Sequence, residues 1–126
     1  MKYFLDTTVL IDYLKGCEDV VDRIKHLARQ GAILGCCCIN ITELYRGLRE
    51  KEKQAAEKLI NHLHYFEITP KTAKIAGEYQ NEYGKKGITL SLANAIIGAT
   101  AVTNKAVLLT ANIKHYPMTE LTVERL

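Results

Sequence analysis

The sequence predicts an α/β fold in which a central, mostly parallel sheet carries helices on both faces. Two observations support this prediction. Short apolar segments alternate along the chain with longer segments of helical periodicity, and such alternation pairs the strands through helical crossovers. Two of the apolar segments, 32–39 and 106–110, are continuous runs, which is typical of strands buried on both faces. The 126 residues are expected to form one domain, 1–126.

The predicted strands are short and bounded by polar or turn-forming residues. They cover residues 2–6, 32–39, 65–69, 106–110 and 121–126. The first of them, KYFLD, ends on an acidic residue, Asp6. The last, LTVERL, is expected to complete the sheet.

The predicted helices lie between these strands and carry start and stop signals. They cover residues 7–16, 17–31, 40–65, 70–87 and 91–104. Thr7 or Thr8 is the expected N-cap of the first helix, and Ser91 that of the last. The charged stretch 49–53, REKEK, is interpreted as a solvated face or a corner between two helices. The last helix is apolar nearly all round, so it is expected to be central.

Composition and charge exclude several classes of protein. The chain is 48% hydrophobic and 25% charged, as in soluble globular proteins, and it has no apolar run near the ~20 residues of a membrane span. Asp6 and Asp12 interrupt the apolar N-terminus, which argues against a signal peptide, so a cytoplasmic protein with no membrane contact is expected. A net charge of +3 permits a polyanionic partner without predicting one.

The cysteines offer little chemistry. Cys36, Cys37 and Cys38 are interpreted as small strand residues, the first and third on one face and the second on the other. Neither they nor Cys17 have zinc-site spacing, and a reducing compartment fits them better than disulfides.

Four polar residues follow predicted strands or open predicted helices, each flanked by apolar residues: Asp6, Glu43, Asn94 and Asn112. Ligands of parallel sheets bind beyond the carboxyl ends of the strands, so these side chains are expected to meet at one rim. Two carboxylates ~4 Å apart repel by about 4 kcal/mol at an effective dielectric of about 20, and a cation relieves that repulsion. Oxygen ligands suit Mg²⁺ or Mn²⁺, which promote phosphodiester cleavage. Helix capping is the competing explanation for each residue alone.

Four blocks of the chain together resemble the PIN-domain family, and in particular the VapC-type toxins of toxin–antitoxin pairs. The blocks are FLDTTVLIDYLKG, CINITELYRGL, GITLSLANAIIGATAV and LLTANIKHY. The resemblance implies a three-layer α/β sandwich and a metal-dependent endoribonuclease of a type II toxin–antitoxin system. It implies that Asp6, Glu43 and the residue at 94 bind Mg²⁺ or Mn²⁺, with Asn112 as a further catalytic position. Thr8 and Arg46 are supporting candidates.

The chain departs from the family pattern at Asn94, where the family has an aspartate. The change is nearly isosteric, so the fold is expected to persist while affinity for a divalent cation falls. Three explanations are compatible with it: an engineered inactivating substitution, a natural member that binds partners but cuts poorly, and a nuclease for which Asp6 and Glu43 suffice. Asn112 is a smaller departure, because that block accepts either Asp or Asn.

The resemblance also implies partners: an RNA substrate, a cognate antitoxin that contacts residues between Val9 and Lys53, and a second copy of the chain in a homodimer. The antitoxin is expected to offer an arginine to the carboxylates. Two other functions are considered: a non-catalytic PIN-like module that binds RNA or antitoxin, and an α/β phosphate-binding or phosphatase-like domain. The latter lacks a glycine-rich phosphate loop. His115 is interpreted as a loop histidine in preference to a catalytic base.

Overall fold

A computed structural model describes all residues of the chain, Met1–Leu126. The centre of the molecule is a five-stranded sheet in which every pairing is parallel. Its strands, in chain order, are β1 Lys2–Leu5, β2 Ile33–Cys36, β3 His64–Tyr65, β4 Val107–Thr110 and β5 Val123–Arg125. Their order across the sheet is β3-β2-β1-β4-β5. The predicted α/β class with a parallel sheet is confirmed.

Six helices connect the strands. They are α1 Thr7–Leu14, α2 Glu18–Arg29, α3 Cys38–Arg46, α4 Lys53–His62, α5 Pro70–Lys85 and α6 Leu92–Thr103. Short 3₁₀ turns at Glu50–Glu52 and Ile113–His115 complete the secondary structure. No helix is both long enough and apolar enough to cross a membrane.

The strand order places a change of direction beside β1. From β1 the chain adds β2 and then β3 on one side, and it returns across the sheet to add β4 and β5 on the other. Leu5 pairs with Leu109, so β1 and β4 end within one residue of each other. Parallel sheets bind ligands at such a point, because the connections leave in opposite directions and open a crevice.

The sheet separates two apolar cores, because successive strand residues point to opposite faces. Phe4 and Leu108 face α5 and α6, where they pack with residues such as Tyr79 and Ile97. Their neighbours Leu5 and Leu109 face α1 and α2, together with residues that include Val9, Leu10, Ile24 and Leu27. Helices therefore cover both faces, as in the predicted three-layer sandwich.

The structure also corrects local predictions. The N-cap of α1 is Asp6, not Thr7 or Thr8, while Ser91 caps α6 as predicted. The three cysteines do not share a strand: β2 ends at Cys36, Cys37 is the N-cap of α3, and Cys38 begins that helix. The helical segment predicted at 40–65 is two helices, α3 and α4, followed by β3, and residues 49–53 lie at a corner between helices, one of their two predicted interpretations. Gly47 is the C-cap at which α3 ends.

Gly35 is a position where the packing of the sheet excludes a side chain. A Cβ at Gly35 would overlap the His64 carbonyl oxygen and lie 2.6 Å from a ring carbon of Phe66. We expect Gly35→Ala to destabilise the fold by about 1–3 kcal/mol, because the backbone of β3 must move. Gly77, in mid-helix with no atom within 4 Å of such a Cβ, is the control. Gly77→Ala should add about 0.5–1 kcal/mol.

Urea unfolding of both variants measures the two effects. Equal free energies of unfolding for the two variants would contradict this account of β2 and β3.

Candidate metal and catalytic site

A cleft of about 340 Å³ opens where β1 and β4 end and where α1, α3 and α6 approach each other. It contains the predicted site residues together with the two supporting candidates. Its lining consists of Asp6, Thr7, Thr8, Ile11, Glu43, Arg46, Ser91, Ala93, Asn94, Asn112 and His115. Residues from both ends of the chain thus share one cleft, as expected from the carboxyl ends of parallel strands.

Asp6 is the most strongly held of these residues. It follows β1 directly and is 6% exposed. Its Oδ1 accepts a hydrogen bond from the Thr7 backbone N–H at 2.8 Å, and its Oδ2 accepts one from the Thr110 hydroxyl at 2.7 Å. Its own N–H donates to the Leu109 carbonyl at 3.0 Å. A carboxylate has about four acceptor positions, so each oxygen keeps a lone pair for a cation.

Glu43 lies in α3 and reaches Asp6 through one threonine. The Thr7 hydroxyl donates to Glu43 Oε1 at 2.7 Å and accepts from Asn40 Nδ2 at 3.2 Å. Asn40 is fully buried, and its Oδ1 accepts from the Cys37 backbone N–H at 2.9 Å. Glu43 is therefore positioned by uncharged hydrogen-bond donors, a series that begins at Asn40 in the first turn of the same helix.

Asn94 is half-buried in the first turn of α6. Its backbone N–H donates to the Ser91 hydroxyl at 3.1 Å, and its side-chain Oδ1 accepts from the Tyr116 hydroxyl at 3.2 Å. Burial raises the pKa of Tyr116 above its usual range, and the negative charges of Asp6 and Glu43 add to this effect. Tyr116 is therefore a neutral hydrogen-bond donor beside both acids.

The remaining predicted residues lie at the rim. Asn112 has an exposed side chain, and its backbone N–H donates to the Thr110 hydroxyl at 3.0 Å. Thr8 accepts from the Ala111 N–H at 3.2 Å, so it ties α1 to the loop after β4. Arg46 and His115 are exposed and line the cleft. The loop position predicted for His115 agrees with the structure.

Sequence reasoning missed four residues that organise the cleft: Thr7, Asn40, Thr110 and Tyr116. The sequence contains a weak indication for Thr7 and Thr110 as site residues, because Thr7 follows Asp6 and Thr110 ends a predicted strand. Asn40 and Tyr116 had none, since nothing in a single sequence shows that their side chains point toward Asp6 and Glu43.

The oxygen atoms of the cleft suit a hard divalent cation, although only two of the side chains that supply them are acidic. Asp6 and Glu43 take part in none of the four ion pairs of the molecule, so no basic side chain neutralises them. No group of three or more His, Cys, Asp or Glu side chains is placed to hold a metal ion. The Asn94 amide offers a further oxygen in the same cleft. Carboxylate and amide oxygens match Mg²⁺ or Mn²⁺ in kind.

The buried cysteines near this cleft are not nucleophiles. Burial raises the pKa of the Cys37 thiol to about 11 and that of Cys36 to about 12. Cys37 and Cys38 do lie at a strand-to-helix turn, contrary to the predicted strand. A protonated, buried thiol is nevertheless a poor nucleophile, and this disfavours the phosphatase-like alternative.

Comparison with known proteins gives concordant results. Residues 3–119 match the PIN domain family. Ribonuclease VapC19 of Mycobacterium tuberculosis is 29% identical over 114 residues, which is 90% of this chain and 91% of that protein. Ribonuclease VapC10 of the same species is 28% identical, over 92% of this chain and 86% of that protein.

Solved structures show the same fold. VapBC2 from Rickettsia felis, bound to a DNA fragment of its promoter, gives a TM-score of 0.89 at 23% identity, covering 100% of this chain and 99% of that one. VapBC-1 from nontypeable Haemophilus influenzae gives 0.85 at 23% identity, covering 99% and 98%.

The hydrogen bonds that run from Asn40 through Thr7 to Glu43 lead to a prediction about the stability of Asn40 variants. Asn40→Ala removes the acceptor of the Cys37 N–H and the donor to the Thr7 hydroxyl. We expect a loss of about 1–3 kcal/mol, the cost of unsatisfied buried polar groups. Asn81→Ala, at an exposed position of α5, is the matched control and should change stability by less than about 0.5 kcal/mol. Thermal and urea unfolding report both, and similar losses for the two variants would contradict the assigned role.

Proposed function

The chain belongs to the PIN-domain family, and from this premise we propose that it is a divalent-cation-dependent endoribonuclease, the toxin of a type II toxin–antitoxin pair. The observation that carries the proposal is the convergence of Asp6, Glu43 and Asn94 in one cleft where no basic side chain pairs with the acids. The names of the curated relatives, ribonucleases, support RNA as the substrate. We propose a cytoplasmic location as well, because the RNA substrate of such an enzyme would be found in the cytoplasm.

The roles of the residues follow from their contacts. Asp6, Glu43 and Asn94 would hold Mg²⁺ or Mn²⁺. Such a cation supplies an activated water and stabilises the charge that develops on the phosphodiester oxygens. Thr7 and Thr110 orient the carboxylates through short hydrogen bonds. Asn112 lies at the rim beside them, as a further group to orient substrate.

Arg46 is the proposed phosphate contact. Its guanidinium is exposed at the edge of the cleft, one helical turn after Glu43, and it forms no ion pair. Arginine matches the geometry of phosphate oxygens and stays charged at all relevant pH values. A phosphodiester drawn to Arg46 would lie over the acidic pair.

Asn94 lowers the activity of this chain in our proposal. The amide contributes an oxygen but no negative charge, so the site attracts a divalent cation less than three carboxylates would. Repulsion between position 94 and the two acids is reduced in the same measure. Compared with an aspartate at position 94, the asparagine therefore makes the cation-free site more stable and lowers its affinity for a cation.

Asn94→Asp tests this account. We expect RNA cleavage with Mg²⁺ or Mn²⁺ to rise at least about tenfold, because the aspartate restores a negative charge that attracts the cation. A tenfold rise corresponds to about 1.4 kcal/mol of additional transition-state stabilisation. Cleavage of a mixed RNA pool, followed by gel electrophoresis, measures it. Asn81→Asp adds the same charge on exposed α5 and should leave the rate unchanged. Equal rates for the original chain and Asn94→Asp would refute a catalytic role for position 94.

A second function is favoured by Asn94 itself: a PIN-like module that binds RNA or antitoxin without cleavage. The same experiment separates the two functions. A binding module gains no cleavage from Asn94→Asp, and it still binds labelled RNA in a filter-binding assay.

The proposed antitoxin site is a groove beside α1. A cavity of about 490 Å³ lies between α1 and α4, lined by Tyr13, Leu14, Ala55, Lys58, Leu59 and His62. A second cavity of about 220 Å³ shares Leu14 and extends to Glu43. A partner segment along both would reach the acidic cleft, where an arginine could pair with the carboxylates. That similar structures were solved as VapBC pairs supports such a partner. The groove extends beyond the predicted range Val9–Lys53, to His62.

Leu59→Glu tests the groove. A charge buried against an apolar partner segment is costly, so we expect at least about a tenfold loss of affinity for the cognate antitoxin. Isothermal titration of the purified chain with the separately purified antitoxin measures this loss, and light scattering reports the proposed homodimer. Ile33→Glu, at the exposed start of β2 and outside the groove, is the control and should bind normally. Undiminished binding by Leu59→Glu would place the partner elsewhere.

A further inference from the structure

Tyr116 approaches the acidic cleft from the core side. Its side chain is 4% exposed, and it belongs to the core between the sheet and α5 and α6. Only its hydroxyl reaches the polar region, where the oxygen lies 3.2 Å from Asn94 Oδ1. The ring is therefore fixed by packing, and its hydroxyl oxygen is held beside the Asn94 amide.

The amide of Asn94 has two chemically different ends. Its oxygen can ligate a cation, whereas its NH₂ group cannot. A half-turn about the last side-chain bond exchanges the two ends and turns a ligand into a repelling donor. A carboxylate at the same position has two equivalent oxygens, so the same rotation changes nothing.

We propose that Tyr116 is a positioning residue that selects the orientation of the Asn94 amide, so that the oxygen and not the NH₂ group serves the cation site. The hydroxyl occupies one lone pair of Oδ1 and leaves the other free. This inference rests on the proposed cation site and concerns a residue of this chain that the sequence did not single out.

The geometry of the contact supports this direction of donation. The hydroxyl lies 3.2 Å from Oδ1 of Asn94, and an amide oxygen has no hydrogen, so at this contact the hydroxyl is the donor. Partners of metal-ligating side chains commonly contribute 10–100-fold to metal affinity through such orientation.

The experiment is a comparison of Mn²⁺ affinity in four proteins: the original chain, Tyr116→Phe, Asn94→Asp and the double variant. Isothermal titration and the electron paramagnetic resonance signal of free Mn²⁺ measure the dissociation constants without RNA. We expect Tyr116→Phe to weaken binding about tenfold when position 94 is Asn. When position 94 is Asp, we expect a loss below about threefold, because a carboxylate needs no such selection.

Tyr79→Phe is the matched control. Tyr79 is buried to a similar degree, and its hydroxyl donates to Glu120 at 2.6 Å. The Tyr116 hydroxyl bonds to a residue of the cleft, whereas Glu120 lies outside the cleft, so the loss of the Tyr79 hydroxyl should leave Mn²⁺ affinity unchanged. Circular dichroism and thermal unfolding establish that the variants are folded.

Each other outcome overturns the inference in a distinguishable way. Equal losses from Tyr116→Phe in the original chain and in the Asn94→Asp variant would mean that the hydroxyl acts on Asp6 or on the fold instead of the amide. No loss in either would remove Tyr116 from the site. Mn²⁺ binding by Asn94→Asp alone would show that the amide is not a ligand. No binding by any of the four proteins would refute the proposed cation site as well.

Discussion

The hydrogen bonds of Asp6 are the interaction on which the rest of this structure depends. One carboxylate caps α1 through the Thr7 N–H and joins β1 to β4 through the Thr110 hydroxyl. The strands are adjacent in the sheet but 104 positions apart in sequence at this contact. A single side chain therefore fixes the start of α1 and the end of β4 beside the cleft. The same carboxylate presents its remaining lone pairs to the cleft.

The acids of the cleft are held by neutral donors, and this has an energetic consequence. Ion pairing with Lys or Arg would neutralise Asp6 and Glu43 and make them poor cation ligands. Hydrogen bonds from Thr7 and Thr110 fix their positions while the negative charge remains. The fold tolerates this repulsion because Asp6 is reinforced on three sides and Glu43 is only half-buried. In the proposed cation site, the uncharged Asn94 would relieve part of the remaining repulsion, so structural stability and cation affinity would change in opposite directions there.

The two faces of the sheet contribute differently to the cleft. The side of α1 and α2 supplies Asp6 and the threonines, while the side of α5 and α6 supplies Asn94 and, from the loop after β4, Tyr116. The buried thiols of Cys36 and Cys37 and the hydroxyl of Tyr116 are neutral, because burial above all raises their pKa values. The charged groups of the cleft are the buried carboxylate of Asp6 and, nearer the rim, Glu43 and Arg46.

The amino-acid sequence by itself determined the fold class, the parallel sheet and the convergence of Asp6, Glu43, Asn94 and Asn112, because apolar periodicity and polar strand ends are local signals. Ser91 as a cap and the position of α6 followed from the same kind of signal. The tertiary structure alone decided that Asp6 is the cap of α1, that the cysteines straddle a strand end, and that Asn40, Thr110 and Tyr116 reach the site. These depend on the register of β1 against β4 and on which way side chains from distant segments point. Hydrogen bonds between residues up to 104 positions apart leave no periodic trace in a single sequence.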